Sequence, residues 1–339
     1  MLNWVFVKPF SLLLHLINMT VLFTSLFLVL YFVLIIIYFK IADQYNIIDK
    51  PNERSSHKGI VIRGAGIIFP IAFILPVILL NQWSEIYLIS IGLILISTIS
   101  FLDDVLTLNN KVRLSIHFIA VALLMIQLNV FNNYWYVIPF TFIVTVGVIN
   151  AYNFMDGING ITALYSFVGI FSFYLLRNEF NLYLSEEIYI SILASILVFS
   201  FFNIRKKAKC FSGDVGSISI AFLLSFLVLS MILQTGQLKW LLFLGIYGLD
   251  SVATIVLRII RKENIFKAHR SHFYQFLVND YKYNHVYVAI LFAISQVLLN
   301  YIVYTRSTTS VFQFYFLIVV IYVVTRLRLE GVQRLFVKY

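Results

Sequence analysis

The chain has 339 residues, 61% of them hydrophobic and only 12% charged, with a mean hydropathy of +0.93; soluble domains carry about 25% charged residues, so a soluble globular protein is excluded. Its net charge of +10 would suit nucleic acid, but the cations lie in short loops between apolar runs, not in one basic stripe with interleaved aromatics, so no nucleic acid is expected as partner. The single cysteine, Cys210, excludes an intramolecular disulfide and a cysteine-built zinc site.

A helix needs about 20 mostly apolar residues to span a bilayer. Eleven runs qualify, centred near residues 30, 73, 94, 121, 142, 168, 195, 225, 249, 295 and 319, with ten as the alternative count because several are short. They are continuously apolar without period-two alternation, which argues against strands and a membrane barrel. The expected fold is therefore all-α, a polytopic integral membrane helix bundle forming one domain over residues 1–339. The first run, Val21 to Phe39, is too long for the core of a signal peptide and no small-residue cleavage site follows it, so it is expected to stay in the mature protein. The segment before it, interrupted by Lys8, Pro9 and His15, is expected at the interface or outer face.

With that segment outside, eleven crossings put loops 40–64, 103–112, 150–159, 204–216 and 261–285, and the tail from Arg326, on one face. This face holds 21 of the 25 lysines and arginines; Lys8, Arg177, Lys239 and Arg306 fall on the other. Such asymmetry predicts that the face is cytoplasmic. All eight aspartates also fall on it or just inside it, while the opposite loops carry only Glu85, Glu179, Glu186 and Glu187 as acids. Any chemistry is therefore expected on the cytoplasmic side.

The first hydrophilic loop, "DQYNIIDKPNERSSHKGIVIRGAGI" (43–67), gathers Lys58, Arg63 and hydroxyls suited to phosphate. A basic loop beside anionic lipid would look similar. In "FLDDVLTLNNKVRLSIHF" (101–118), Asp103 and Asp104 end one span, and Lys111 and Arg113 begin the next. Adjacent carboxylates at a membrane boundary repel and need a cation or donor. On a helix they project about 100° apart, so one could serve Mg²⁺ and the other a substrate phosphate; a solvated turn is the bland alternative. "NAYNFMDGINGI" (150–161) repeats Asn150, Asn153 and Asp156 every third position, and Gly157 and Gly160 allow a ligand or helix close to the backbone. The same pattern could be helix-to-helix glue with a cap.

In "FNIRKKAKCFSGDVGSISIAF" (202–222), four cations precede Phe211, which could stack on a base, and Asp214 stands between Gly213 and Gly216 at a helix start. Exposed N–H groups there suit anions, and Asp214 could give Mg²⁺ an oxygen; Ser212 or Asp214 could equally be an N-cap. Asp250 lies within a span and has two open roles, functional or paired with Arg258, Lys207 or loop backbone. Finally "RIIRKENIFKAHRSHFYQF" (258–276) places His269 and His272 one helical turn apart around Arg270. No further ligands complete a metal site, so phosphate contact or acid–base help suits the surrounding charge better than metal binding.

Each cluster alone admits a structural explanation, but four carboxylates suited to Mg²⁺, several cationic loops and two histidines on one membrane face point together to diphosphate chemistry. The other reactant should be lipidic. A proton-coupled transporter is the competing class, through Asp250 and glycine-interrupted spans. A transporter would spread charged residues at mid-membrane over several helices, whereas here they collect at one interface. A scaffold without chemistry would not explain the aspartate partition.

"FLDD" with Arg113, "NAYNFMDGINGI", "FSGDVGS" and "AHRSHFYQ", in this order and spacing, resemble the polyprenyl-phosphate N-acetylhexosamine-1-phosphate transferases (glycosyltransferase family 4), which include the enzymes that start O-antigen and teichoic-acid synthesis and the related phospho-muramoyl-pentapeptide transferase. "DKPNERSSHKGIVIRGAG" resembles the surface-glycan branch, and the resemblance covers residues 43 to about 276. It implies transfer of a sugar-1-phosphate from a UDP-N-acetylhexosamine to undecaprenyl phosphate, with release of UMP, in the bacterial cytoplasmic (inner) membrane. Mg²⁺ is the implied cofactor, with Mn²⁺ as a substitute. A homodimer is compatible with the sequence.

By motif, the resemblance gives Asp103 and Asp104 the acidic-pair position tied to catalysis and to the lipid phosphate or metal, Asp156 the nucleotide-site carboxylate, and Asp214 the principal magnesium position. Asn203 and Phe211 match positions near the nucleotide and uracil, and His269 and His272 the histidine motif near the sugar diphosphate. Ser212 stands for a frequent methionine, Asn159 for a frequent aspartate, Ala65 interrupts a glycine run and His117 stands for a frequent glutamine. These departures bear on sugar preference more than on reaction type. Two routes stay open, direct attack by the lipid phosphate or a covalent enzyme intermediate; direct attack is favoured because a phosphate needs little activation at neutral pH.

Overall fold

The structure, a computed structural model, describes residues 4–49, 59–106, 108–265 and 269–337, with side chains from Thr20 onward. Twelve α-helices account for most of it: α1 (Trp4–Gln44), α2 (Ile68–Leu79), α3 (Trp83–Leu106), α4 (Asn110–Gln127), α5 (Val137–Met155), α6 (Ile161–Leu176), α7 (Glu186–Asn203), α8 (Gly213–Thr235), α9 (Gly245–Ile260), α10 (Phe273–Asn279), α11 (His285–Thr305) and α12 (Thr308–Phe336). Among the described residues nine segments are long and apolar enough to cross a membrane, and Ala65–Leu79 and Ile161–Leu176 are shorter apolar helices. The protein is a polytopic helical membrane protein, and each of the eleven expected runs is helical. At 1.5 Å per residue the two short helices reach roughly 24 Å, less than the ~30 Å hydrocarbon core. Each begins directly at a polar loop and packs against α7, so neighbouring helices cover what it does not span.

Helix α8 is the axis of the bundle, with its apolar window buried throughout. It lies between α3 and α5 and also touches α2 and α6. Such burial in an oily core requires that its hydroxyls be satisfied within the helix: Ser225 donates to Ala221 O (2.7 Å), and Ser219 to Val215 O. By contrast α1, α4, α5 and α12 leave most of their length exposed, as lipid-facing helices must. The segment expected as a separate interfacial piece continues α1 back to Trp4.

A small β pair lies outside the apolar runs. Ile48–Asp49 and Val61–Ile62 are antiparallel, and Ile62 also bridges Cys210. Alternation could not reveal strands of two residues. They tie the end of α1 to the entry of α8, and Ala65 N and Gly66 N continue the tie by donating to Phe211 O and Ser212 O, both at 3.0 Å.

The apolar run centred near residue 249 is one helix only in part. Leu238–Leu244 is a 3₁₀ segment, and Leu244 (φ −120°, ψ 18°) breaks the ladder before α9. Gln296 of α11 mends the break: its Nε2 donates to Leu242 O (2.8 Å) and to Asn300 Oδ1 (2.6 Å), and its Oε1 accepts from Ile246 N (3.0 Å) and Tyr165 Oη (2.5 Å).

Candidate active site

Asp103 and Asp104 lie in the last turn of α3 and, being adjacent on a helix, diverge. The side chain of Asp104 is fully buried, and its two carboxylate oxygens accept from Asp214 N and Val215 N, both at 3.0 Å. One helix thus caps another: the first N–H groups of α8, which Ser212 does not cap with its side chain, are satisfied from α3. Arg63 Nε stands 2.7 Å from Asp104 Oδ1 and neutralises the buried charge. Gly213 makes the approach feasible. Its φ is +69°, and a Cβ there would lie 2.4 Å from Asp104 Oδ2. Asp103 turns the other way, accepting from Leu108 N (2.8 Å) and from Arg113 of α4.

Asp214 then projects from the first turn of α8 between two guanidinium groups, Arg63 Nη2 at 3.5 Å and Arg113 Nη1 at 3.7 Å, and accepts from Asn153 Nδ2 at 3.1 Å. Its side chain is 19% exposed. Charge-assisted bonds close to about 2.7–2.9 Å, so both arginines are held around Asp214 without collapsing onto it. Donors remain for the oxygens of a further anion. Among the described residues no three acidic, histidine or cysteine side chains converge on one point. Mg²⁺ does not require that, because it takes one or two carboxylates and fills its octahedron with waters and phosphate oxygens. Asp214, partly open and only loosely paired, fits such a cation; Asp104, with both oxygens engaged, sits behind it.

Asp156 follows α5 and accepts from Thr162 Oγ1 (2.5 Å) and from Ser212 Oγ. Burial lifts its carboxyl to about 6, with the Ser212 and Thr162 hydroxyls pulling the other way. Asn203 is buried with its amide spent on backbone, accepting from Gly160 N (2.7 Å) and donating to Cys210 O (2.8 Å). It fastens the 150s loop to the 200s loop. Phe211 is half-buried and its backbone joins the β pair to α8. Cys210, taken as a spectator, is buried.

His272 is 2% exposed and precedes α10. Its ring stacks on His269 with centroids 5.0 Å apart, and Phe154, from the end of α5, lies 6.3 Å from one and 6.0 Å from the other. Burial, then the neighbouring His272, pushes His269 down to about 4, so it is neutral at pH 7. Tyr274 binds this loop to the carboxylate cluster. Its hydroxyl donates to Phe154 O (2.8 Å) and lies where a Cβ on Gly157 would meet it at 2.2 Å, which is why a glycine follows Asp156.

The structure thus brings Arg63, Asp103, Asp104, Arg113, Asn153, Asp156 and Asp214 into one connected cluster, with His269 and His272 beside it through Phe154. Asn150 is not in it: the side chain is exposed and donates back to Val146 O (2.8 Å). Lys111 is exposed in the first turn of α4, Arg270 is half-buried in the histidine loop, and Lys58 lies outside the described residues. Sequence inspection missed Thr162 and Tyr274, and it took Ser212 only for a cap and a departure from a family pattern. No local signal marks these residues, since their partners lie 6 to 120 positions away. Beside the histidines an apolar groove of about 1040 Å³ runs between α5, α9 and α12, with Asn150, His269 and Arg326 among its polar lining.

Residues 86–232 match the sequence model of the family described as glycosyl transferase family 4. Among curated proteins the chain is similar to one from Bacillus subtilis (strain 168) named "Probable undecaprenyl-phosphate N-acetylglucosaminyl 1-phosphate transferase", 26% identical over 258 residues, covering 70% of this chain and 72% of that one. It is 29% identical over 261 residues to a phospho-N-acetylmuramoyl-pentapeptide-transferase of Dictyoglomus turgidum, covering 70% and 81%. It is also 25% identical over 294 residues to an undecaprenyl-phosphate alpha-N-acetylglucosaminyl 1-phosphate transferase of Escherichia coli (strain K12), covering 77% of each.

Proposed function

Because the chain belongs to the polyprenyl-phosphate N-acetylhexosamine-1-phosphate transferase superfamily of glycosyl transferase family 4, we propose that it transfers N-acetylhexosamine-1-phosphate from a UDP-sugar to undecaprenyl phosphate. UMP is released, and the step is the first on the membrane in assembling a surface glycan. N-acetylglucosamine is the expected sugar, and a 6-deoxy-N-acetylhexosamine is the alternative within the same branch. The observation that carries the proposal is Asp214, held at the start of α8 between two arginines that approach it only to 3.5 and 3.7 Å.

An oxygen of the lipid phosphate attacks the sugar-bearing phosphorus, the bond to the bridging oxygen breaks, and the electron pair leaves with UMP. Arg63 and Arg113 bind and orient the phosphate oxygens, and Asp103 aims Arg113. Asp214 would hold Mg²⁺, which on binding spreads the charge of the diphosphate and of the leaving UMP. Asp104 fixes the helix turn that presents Asp214, Asp156 with Ser212 shapes the nucleotide side, and His269 and His272 contact the sugar diphosphate. The groove beside α9 takes the acceptor's polyprenyl chain, its apolar wall matching an isoprenoid. The face bearing the site is the cytoplasmic one, where 21 of 25 lysines and arginines lie.

The test is UMP release by the purified protein with undecaprenyl phosphate, Mg²⁺ and a panel of UDP-N-acetylhexosamines. Release that requires lipid, stops with EDTA and falls by at least about 100-fold in Asp214→Ala is expected. Absence of UMP with every donor, together with no binding of UDP, would overturn the proposal.

A further inference from the structure

Asp250 is fully buried six residues into α9, in a segment long enough to cross the membrane, and takes no part in the carboxylate cluster. Its surroundings are assembled from its own helix and two other parts of the chain. Oδ1 accepts from Phe273 N at 2.9 Å, from Tyr322 Oη of α12 at 3.0 Å and from Thr254 Oγ1 at 3.3 Å; Oδ2 accepts from Tyr274 N at 3.3 Å. His272 Nδ1 stands 3.6 Å from Oδ1. Arg326, one turn beyond Tyr322 and 2% exposed, pairs with Glu330 and braces the groups around Asp250: it donates to Tyr322 Oη (3.2 Å) and Thr254 Oγ1 (3.4 Å), and to Ser271 O at 2.9 Å.

Two features separate this arrangement from ordinary capping. The carboxylate binds both N–H groups immediately after His272 and also faces the ring nitrogen on the same side, so one group sets the backbone and the imidazole together. The far nitrogen, Nε2, is buried without a protein partner. At 3.6 Å the carboxylate faces Nδ1 without closing a hydrogen bond, so it orients the ring through the backbone it binds and leaves Nε2 as the working atom. We propose that Asp250 is a positioning residue for the transfer reaction: from within the membrane segment of α9, helped by Tyr322 and Arg326, it fixes the orientation of His272 toward the sugar diphosphate. This rests on the transferase activity proposed above.

The test uses the full chain in nanodiscs and follows UMP release for Asp250→Asn, Tyr322→Phe, His272→Ala and the double variants with His272→Ala. Asp250→Asn should lower kcat on the order of 10- to 100-fold, the range for losing a supporting partner, with KM for both substrates within about threefold of wild type. Tyr322→Phe should lower kcat in the same direction but by less, about 3- to 10-fold. In the His272→Ala background neither substitution should lower the rate further, because what they support is gone. Amide exchange should rise at 271–276 in Asp250→Asn and stay unchanged in α8; if it rises along the whole chain the variant has unfolded, and Tyr322→Phe then decides. Losses that multiply with that of His272→Ala while wild type is active would overturn this assignment alone. A wild-type protein that releases no UMP with any donor and binds no UDP would overturn the proposed activity and this assignment with it.

Discussion

A half-buried imidazole beside a second imidazole resists taking a proton. His269 is held down to about 4 by burial and then by His272, against 6.5 for a free histidine. In the unfolded chain it protonates as the pH falls through 6.5, whereas in the folded protein it waits until about 4, so protons favour unfolding over that interval. The stability it contributes is complete above pH 6.5 and lost as the pH falls toward 4. Melting temperature measured from pH 7.5 to 4.5 should decline less steeply in His269→Asn than in wild type; parallel curves would refute this. The residue types at the site were legible because carboxylates, arginines and histidines are conspicuous in so apolar a chain. Their partners were not. That Asp104 would face backbone N–H groups and Asp103 an arginine follows from the 100° step between them, yet which group took which role depended on α8 lying beside α3, a contact 110 positions away.

Helices read as uninterrupted apolar runs can conceal a break, and the stretch 238–260 does so. Neither proline nor polar residues mark the change from 3₁₀ to α at Leu244, and its only warnings are Gly245 and Gly248. The break is tolerable because Gln296 reaches from α11 to Ile246 N and adds a second donor to Leu242 O, which already accepts from Gly245 N. Without water, each unsatisfied backbone group is expensive. Gln296→Leu should therefore cost about 1–3 kcal/mol, the penalty for one stranded backbone group, seen as a lower melting temperature in detergent; an unchanged melting temperature would show that the backbone finds another partner. Beyond the break, Asp250 of α9 accepts from Phe273 N and Tyr274 N at the start of α10, which links this stretch to the histidine loop. The lengths of α2 and α6 had a similar obscurity: their runs are apolar enough to read as spans, and only packing against α7 shows that a shorter helix suffices.

The whole bundle has a polarity that composition already carried, since lysine, arginine and aspartate crowd the loops at one end. Sidedness can be tested with single cysteines, because native Cys210 is buried and should stay silent to a membrane-impermeant maleimide. Lys206→Cys should react in inside-out vesicles, and Trp135→Cys, whose native indole is 78% exposed, in intact cells with a permeabilised outer envelope. The reverse pattern would invert the orientation and put the site on the outer face. At this scale the fold class and the number of apolar runs were legible, since a bilayer imposes length and continuity on them. The order in which helices surround α8 was not, because lipid-facing and core-facing runs differ little in composition.

The cap that Asp104 places on α8 has a consequence for biosynthesis. When α3 enters the membrane, the ribosome has still to make the 110 residues that separate Asp104 from its N–H partners, on the order of 10 s of elongation. Arg63 is already made and can hold the carboxylate during that interval; its substitution would leave a bare charge in a half-inserted chain. Variants at Arg63 should therefore be recognised first by the membrane quality-control proteases, as low abundance of the nascent protein, before any defect in catalysis can be seen.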